Sequence, residues 1–185
     1  MSRMKLIRRW SLMKSVTEEN IAEHSAQVAQ IAHALAVIGN RVYGKELCAD
    51  RVATLALYHE SSEVITGDLP TPIKYYNPEI RKAYKDIEGV ANARLISMLP
   101  EELKADYSPL IEQDETTYEH RLVKAADKLS AYVKCIEELR SGNREFAKAE
   151  LSLKAAVEQS FDLPEVRYFC EKFLPSFAKT LDELD

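Results

Sequence analysis

His24, the adjacent pair His59-Glu60, and Asp127 are separated by long stretches of chain, yet each falls on or beside the apolar stripe of a predicted helix. Imidazoles and carboxylates together suit Mn²⁺, Co²⁺, Zn²⁺ or Fe²⁺ better than Ca²⁺. Protein ligands on one side of such an ion leave positions open for water and substrate. The ion then lowers the pKa of bound water and can polarise an oxygen of a bound substrate. Taken singly, each residue has a plainer reading. A histidine on an apolar face is commonly a hydrogen-bonded core group, and an aspartate inside a helix is commonly a cap or a solvated group. His33, nine positions after His24 and about a quarter-turn round the helix, is read as a core histidine of that kind. Together the residues resist that reading. Aspartate and glutamate are almost never fully buried unless paired or bound to metal, and Glu60, Glu63 and Asp127 all gather about two apolar-face histidines.

Helices must position these groups. Asn20 and Glu23 have capping-box spacing, and Ile21, His24, Val28, Ile31, Leu35 and Ile38 share one face of the helix that follows. Asp50 is a candidate N-cap for a second helix, along which Val52, Leu55, Ala56, His59 and Glu63 share a face and which Gly67 would end. Glu63 then lies one turn from His59, close enough to orient an attacking water. The segment from Asp68 to Asn77 carries Pro70 and Pro72 without a period and reads as an ordered loop. Asn77-Pro78 reads as N-cap and first helical position of a helix to about Leu99, and Pro100 opens a shorter one. After the polar stretch Glu112 to Thr117, a helix from about Tyr118 to Ser141 places Val123, Asp127 and Ser130 on one face, and Gly142-Asn143 stops it. Two more helices cover about Arg144 to Ser160 and Pro164 to Leu184, with Pro175 kinking or interrupting the last. No segment alternates as a strand would, and five glycines and seven prolines leave little room for all-β turns. The fold class is all-α, a single helical bundle.

Bulk properties exclude several functions. A chain of 185 residues is one domain, large enough to fold without disulfide or metal staples. The net charge of −5 argues against polymeric nucleic acid as a partner. A small anionic substrate needs only local cations, for which Arg8, Arg9, Lys14 and Lys74 are candidates. Cys48, Cys135 and Cys170 are odd in number and form no Cys-x-x-Cys pair, so reduced thiols are expected, with no thiolate zinc site. The basic N-terminus lacks an apolar secretion core, and no apolar run approaches the ~18 residues of a membrane span. The expected location is the cytoplasm.

The local text sharpens the site. Glu23-His24-Ser25 is followed by YHESSEVITGDLPTP from Tyr58 to Pro72 and by KAADKLSAYVK from Lys124 to Lys134. That order resembles the HD-domain metal-dependent phosphohydrolases. The GDLPTP segment and the early Arg9-Trp10 pair narrow the resemblance to the bacterial 5′-deoxynucleotidases of the YfbR type, over about Arg3 to Leu184. The resemblance implies one HD domain across residues 1–185 that hydrolyses deoxyribonucleoside 5′-monophosphates, and a homodimer. It implies His24, His59, residue 60 and Asp127 as metal ligands. Glu63 and Asp68 would serve in water activation, proton transfer or substrate positioning. Arg9 would bind phosphate, and Trp10 would pack against the sugar and penalise a 2′-hydroxyl; on composition alone the pair reads instead as a basic N-terminal helix with a core Trp. Lys74 could meet phosphate from its loop, although a solvated lysine is the competing reading. Tyr75-Tyr76 read as core or interface rather than base-stacking groups, and Tyr168, Phe169, Phe173 and Phe177 fit either a core or an interface.

One residue departs from the pattern: the family's His-Asp doublet is His59-Glu60 here. The extra methylene moves the carboxylate by roughly 1.5 Å, while metal–ligand distances tolerate about ±0.2 Å. Retained but altered metal binding is expected. A degenerate HD protein that binds a nucleotide or partner without turnover is the alternative. A further one is another HD phosphohydrolase acting on nucleoside triphosphates, cyclic nucleotides or guanosine tetraphosphate.

Overall fold

The capping box read at Asn20 starts one of the two longest helices, each of which carries an expected site residue. In the computed structural model, which describes residues 1–74 and 76–183, the Asn20 side chain accepts from the Ala22 and Glu23 backbone N–H groups, and Glu23 accepts from that of Asn20. This helix, α1 (Ile21–Tyr43), ends at Gly44, whose φ of 65° favours glycine. It is followed by α2 (Ala49–Tyr58), α3 (Glu63–Thr66), α4 (Thr71–Lys74), α5 (Pro78–Ser97), α6 (Glu101–Ile111), α7 (Tyr118–Arg140), α8 (Ala147–Glu158) and α9 (Pro164–Lys172). No strand occurs among the described residues, and no helix there is long and apolar enough to cross a membrane.

The core forms where α1, α2 and α7 meet. Val28, Leu35, Val52, Leu122, Val123 and Leu129 are fully buried there, while α8 and α9 cover the remaining faces of α7 and α1. The C-terminal aromatics resolve towards the core: Phe169 is buried, and Tyr168 and Phe177 pack against it, with Phe173 half exposed. Tyr76 is 77% exposed and is not a core residue. Tyr75 and Leu184 lie outside the described residues.

Five expectations need correction. The segment from Asp68 to Asn77, expected as a loop, holds the single helical turn α4, with the Ile73 and Lys74 N–H groups donating to the Pro70 carbonyl. The single helix expected from Asp50 to Gly67 is broken: α2 ends at Tyr58, and a turn over residues 59–62 precedes α3. There the His59 ring Nδ1 lies 2.6 Å from the Ala56 carbonyl oxygen, and the Ser61 hydroxyl donates to that of Tyr58 at 2.6 Å. Such local side-chain bonds compete with a continuing helical ladder. The N-cap of α2 is Cys48, and Asp50 sits in the first turn, where its exposed carboxylate still complements the helix dipole. His33 is exposed, 3.8 Å from Asp50, rather than a core group. The last helix stops at Lys172 and gives way to 3₁₀ turns at Leu174–Ala178 and Leu181–Glu183, because Pro175 has no N–H and disfavours helix in the residue before it.

A strap of irregular chain runs from Ile7 to Asn20 and returns along itself, with Arg9 N–H donating to the Glu19 carbonyl and Ile21 N–H to that of Ile7. Its far end is latched to α7. The buried Glu138 carboxylate accepts from the backbone N–H groups of Val16 at 2.8 Å and Thr17 at 3.1 Å, from Lys134 at 2.5 Å and from Asn143 at 2.7 Å. Burial alone would raise its pKa, but these donors outweigh it and hold Glu138 at about 2. The N-terminal strap is thereby fixed to the same helix that carries Asp127.

Candidate metal centre

Three packed elements bring the four expected ligands together. His24 comes from the first turn of α1, His59 and Glu60 from the turn that ends α2, and Asp127 from the middle of α7. One donor atom from each lies within 4.8 Å of all the others. His24 Nε2 is 3.0 Å from Asp127 Oδ1, His59 Nε2 is 3.4 Å from Glu60 Oε1 and 3.9 Å from Asp127 Oδ1, and the two rings stand 5.3 Å apart. The glutamate at position 60 therefore reaches the cluster despite its extra methylene.

The opposite edges of the rings define their tautomers. His59 Nδ1 faces the Ala56 carbonyl, which can only accept, so Nδ1 carries the proton. Ser130 donates its hydroxyl to Gln27 Oε1 at 2.6 Å, so at 3.2 Å it can only accept from His24 Nδ1. In either ring's neutral form the lone pair then sits on Nε2. Both Nε2 atoms are buried without a hydrogen-bond partner of proper alignment among the described residues. An unsatisfied buried acceptor costs about 1–3 kcal/mol, and two aimed at the same pair of carboxylates fit a shared cation. Neutral imidazoles anchored through Nδ1, with carboxylates beside them, are the donor set of a divalent transition-metal site.

Charge in the cluster agrees. Burial lowers the His24 pKa and keeps the ring neutral, although Asp127 pulls the other way. Burial would raise Asp127, but the two imidazoles hold it well below the ordinary carboxylate range. Glu60 and Glu63 split. Glu60 is lowered by His59 against its burial, whereas burial, Glu60 and then Asp68 push Glu63 up to about 10. The cluster thus carries concentrated negative charge on Glu60 and Asp127, with Glu63 buried at its edge.

The 5′-deoxynucleotidase YfbR-like family matches residues 1–177. The chain belongs to that family. It is 54% identical to the 5′-deoxynucleotidase VV1113 of Vibrio vulnificus over 185 residues, covering all of this chain and 95% of that protein. It is likewise 54% identical to a 5′-deoxynucleotidase of Yersinia pestis over 187 residues, covering all of this chain and 93% of that protein. Among solved structures, an HD-domain phosphohydrolase from Listeria innocua superposes with a TM-score of 0.82 at 26% identity, over 95% of this chain and 85% of that one. The resemblance read from GDLPTP and the HD-type motifs is therefore correct at the level of fold and family.

Around the metal group, the family member's other expected residues take distinct places. Glu63 is buried at the start of α3, and its Oε2 has no hydrogen-bond partner among the described residues. Asp68 follows Gly67, whose φ of 73° a side chain would resist, and is half-buried. Burial raises its pKa, partly offset by Arg9. Burial opposes the charge on Arg9, yet Asp127, Glu19, Glu60 and Asp68 together raise its pKa, so the guanidinium faces the acidic cluster. Trp10 packs on Phe146 with ring centroids 5.2 Å apart. Its φ of 57° is the only positive value outside glycine among the described residues, a conformation that costs about 1–3 kcal/mol and persists only where neighbours over-determine it.

Some of the expected cations are spent elsewhere. Arg8 pairs with Glu18 on the surface at 2.8 Å, and Lys14 is exposed. Lys74 is only partly exposed: it donates to Glu88 at 3.0 Å and stands 4.6 Å above the Tyr84 ring, which replaces the freely solvated reading. Lys124 and Glu19 were not singled out from the sequence. Lys124 is an exposed residue one turn before Asp127, and the pull of Asp127 and Glu60 outweighs desolvation and raises its pKa. Its position inside the KAADK motif was the available signal.

The reach of Glu60 can be tested directly. Glu60→Asp is expected to retain metal and to raise kcat by up to about tenfold, or ~1.4 kcal/mol in the barrier, by restoring the shorter carboxylate of the family's His-Asp doublet. Metal titration followed by steady-state kinetics reads both. Loss of metal on shortening would show that the 59–62 turn is set for glutamate.

Proposed function

We propose that this chain hydrolyses deoxyribonucleoside 5′-monophosphates to a deoxynucleoside and inorganic phosphate, with one divalent transition metal held by His24, His59, Glu60 and Asp127. The observation that carries the reading is the pair of buried, unpartnered Nε2 atoms facing two carboxylates in a member of this family. A metal held there supplies Lewis-acid polarisation of a phosphoryl oxygen and a lower pKa for water. Co²⁺, Mn²⁺, Zn²⁺ and Fe²⁺ all suit the donor set.

The chain's own side chains account for the remaining steps. Arg9 binds the phosphate, and Lys124 adds positive potential beside Asp127, while Lys74, paired with Glu88, contributes only at longer range. Trp10 packs on the sugar. Glu63 accepts a proton from the attacking water as the new P–O bond forms; with the charge on Glu60 neutralised by a bound cation, its nearest like-charge neighbour no longer opposes ionisation. Asp68, on the loop side, starts protonated, a form its burial favours, and donates that proton to the 5′-oxygen as its bond to phosphorus breaks; solvent then takes the proton held by Glu63 and reprotonates Asp68. The three free cysteines support a cytoplasmic location. The exposed apolar residues Ile87 and Val90 on α5, with Met98 at its C-terminal cap, support a homodimer.

Sugar discrimination tests the substrate assignment. A packed indole crowds a 2′-hydroxyl and strips its water without offering a partner. Apolar surfaces reject an added hydroxyl by up to about 10²-fold. Deoxyribonucleoside monophosphates are therefore expected to exceed the matched ribonucleotides by about one to two orders of magnitude in kcat/KM. Trp10→Ala should shrink that ratio while leaving metal content unchanged. Equal phosphate release from both sugars by the unaltered enzyme would remove the deoxynucleotide assignment.

A further inference from the structure

We infer that Glu19 is the positioning residue for substrate selectivity, because its one carboxylate oxygen clamps both Arg9 and Trp10. Glu19 Oε2 accepts from Arg9 Nε at 3.0 Å and from Trp10 Nε1 at 3.1 Å. The same residue's carbonyl oxygen accepts from the Arg9 backbone N–H at 3.0 Å. Three bonds therefore join Glu19 to the Arg9-Trp10 dipeptide across the return of the strap. The ion pair is sheltered, with side-chain exposures of 14% for Arg9 and 12% for Glu19, so water screens it weakly. The inference rests on the reading of Arg9 and Trp10 as substrate-binding groups.

The geometry explains how two unlike groups can act together. With Nε held by Glu19, the forked end of the Arg9 guanidinium is the part left to meet a phosphate. The indole of Trp10 is pinned at one edge by Glu19 and supported on its ring by Phe146. Its left-handed backbone is of the kind that relaxes when neighbouring contacts are removed. Glu19 thus couples the grip on phosphate to the wall against the sugar. The Glu138 latch fixes the strap's other end, at Val16 and Thr17, and has no direct bond to either binding group. Glu19 is the residue through which register passes to the site.

The test compares Glu19→Ala and Glu19→Gln with Arg9→Ala and Trp10→Ala in the metal-loaded enzyme. The assay is phosphate release from a matched deoxy and ribo monophosphate. Glu19→Ala is expected to raise KM for the deoxynucleotide by about tenfold and to shrink the deoxy-to-ribo ratio, with kcat and metal content little changed. Glu19→Gln keeps an oxygen with two lone pairs and is expected to retain most of the ratio. The proposal is overturned if Glu19→Ala leaves KM and the ratio intact while Trp10→Ala collapses the ratio. It is equally overturned if Glu19→Ala acts only through lost metal or a lower melting temperature. If Arg9→Ala and Trp10→Ala both leave KM and the ratio unchanged, the substrate reading itself fails and this inference falls with it.

Discussion

Replacing Asp127 by alanine is expected to abolish metal retention and to lower phosphate release by about 10²–10³-fold or more, while the helical fold stays intact. The carboxylate stands 3.0 Å from His24 Nε2 and 3.9 Å from His59 Nε2, so it is the group both imidazoles share. Even outer partners of metal ligands cost about 10–100-fold in affinity when removed, and a directly facing carboxylate should cost more. Loss of a single group that stabilises developing charge lowers kcat by about 10²–10³-fold. The core around Leu122, Val123 and Leu129 does not depend on that carboxylate, so circular dichroism should be unchanged. Both imidazoles hold the Asp127 carboxylate well below its ordinary range in the metal-free chain, so its ionised form stabilises the fold at neutral pH. The metal-free variant is therefore expected to melt lower than the metal-free parent while keeping its helical content. Full activity with bound metal in Asp127→Ala would show that α7 contributes no ligand.

Glu63→Gln is expected to separate metal binding from turnover. The side chain is 3% exposed at the start of α3 and sits at the edge of the metal group rather than inside it. General base catalysis contributes about 10²–10⁴-fold, so kcat should fall by that amount with metal content near that of the parent. Glutamine has the same shape and no ionisable proton acceptor, which isolates the chemistry from packing. Metal uptake carries a linked signature. Without a cation, burial and then Glu60 push Glu63 up to about 10, so it enters neutral solution protonated. A cation placed against Glu60 favours ionisation of Glu63, so binding should release more protons near neutral pH from the parent than from Glu63→Gln. An unchanged kcat in this variant would assign proton transfer elsewhere, with Asp68 the next group to alter.

Particular residues show what could be read before any coordinates. The stripe Ile21, His24, Val28, Ile31, Leu35 and the face Val123, Asp127, Ser130 each follow one helical period, so the histidine and the aspartate had to face a common interior. The capping pairs at Asn20-Glu23 and Asn77-Pro78 are local chemistry, and both helices start where those pairs stand. The break after Tyr58 was not legible. His59 and Glu63 have the same spacing in a continuous helix as in a turn followed by a new helix. Only the bonds of His59 and Ser61 back to the Ala56 and Tyr58 carbonyls decide between them. Glu19 was hidden for a different reason. It lies in an aperiodic strap, and its role depends on a chain reversal that brings it back to Arg9 and Trp10, ten and nine positions earlier. Glu138 reaches across 122 residues to hold Val16, a pairing that no local pattern encodes.

The most direct test of a four-ligand metal centre in a phosphomonoester hydrolase is a single titration. Metal-free protein receives Co²⁺ or Mn²⁺ in steps while phosphate release from a deoxyribonucleoside 5′-monophosphate is followed. Activity should rise from near zero in proportion to bound metal and saturate at about one ion per chain, the number that one cluster of four ligands accommodates. Full turnover in the metal-free protein, or stoichiometric metal binding with no phosphate released, would contradict it.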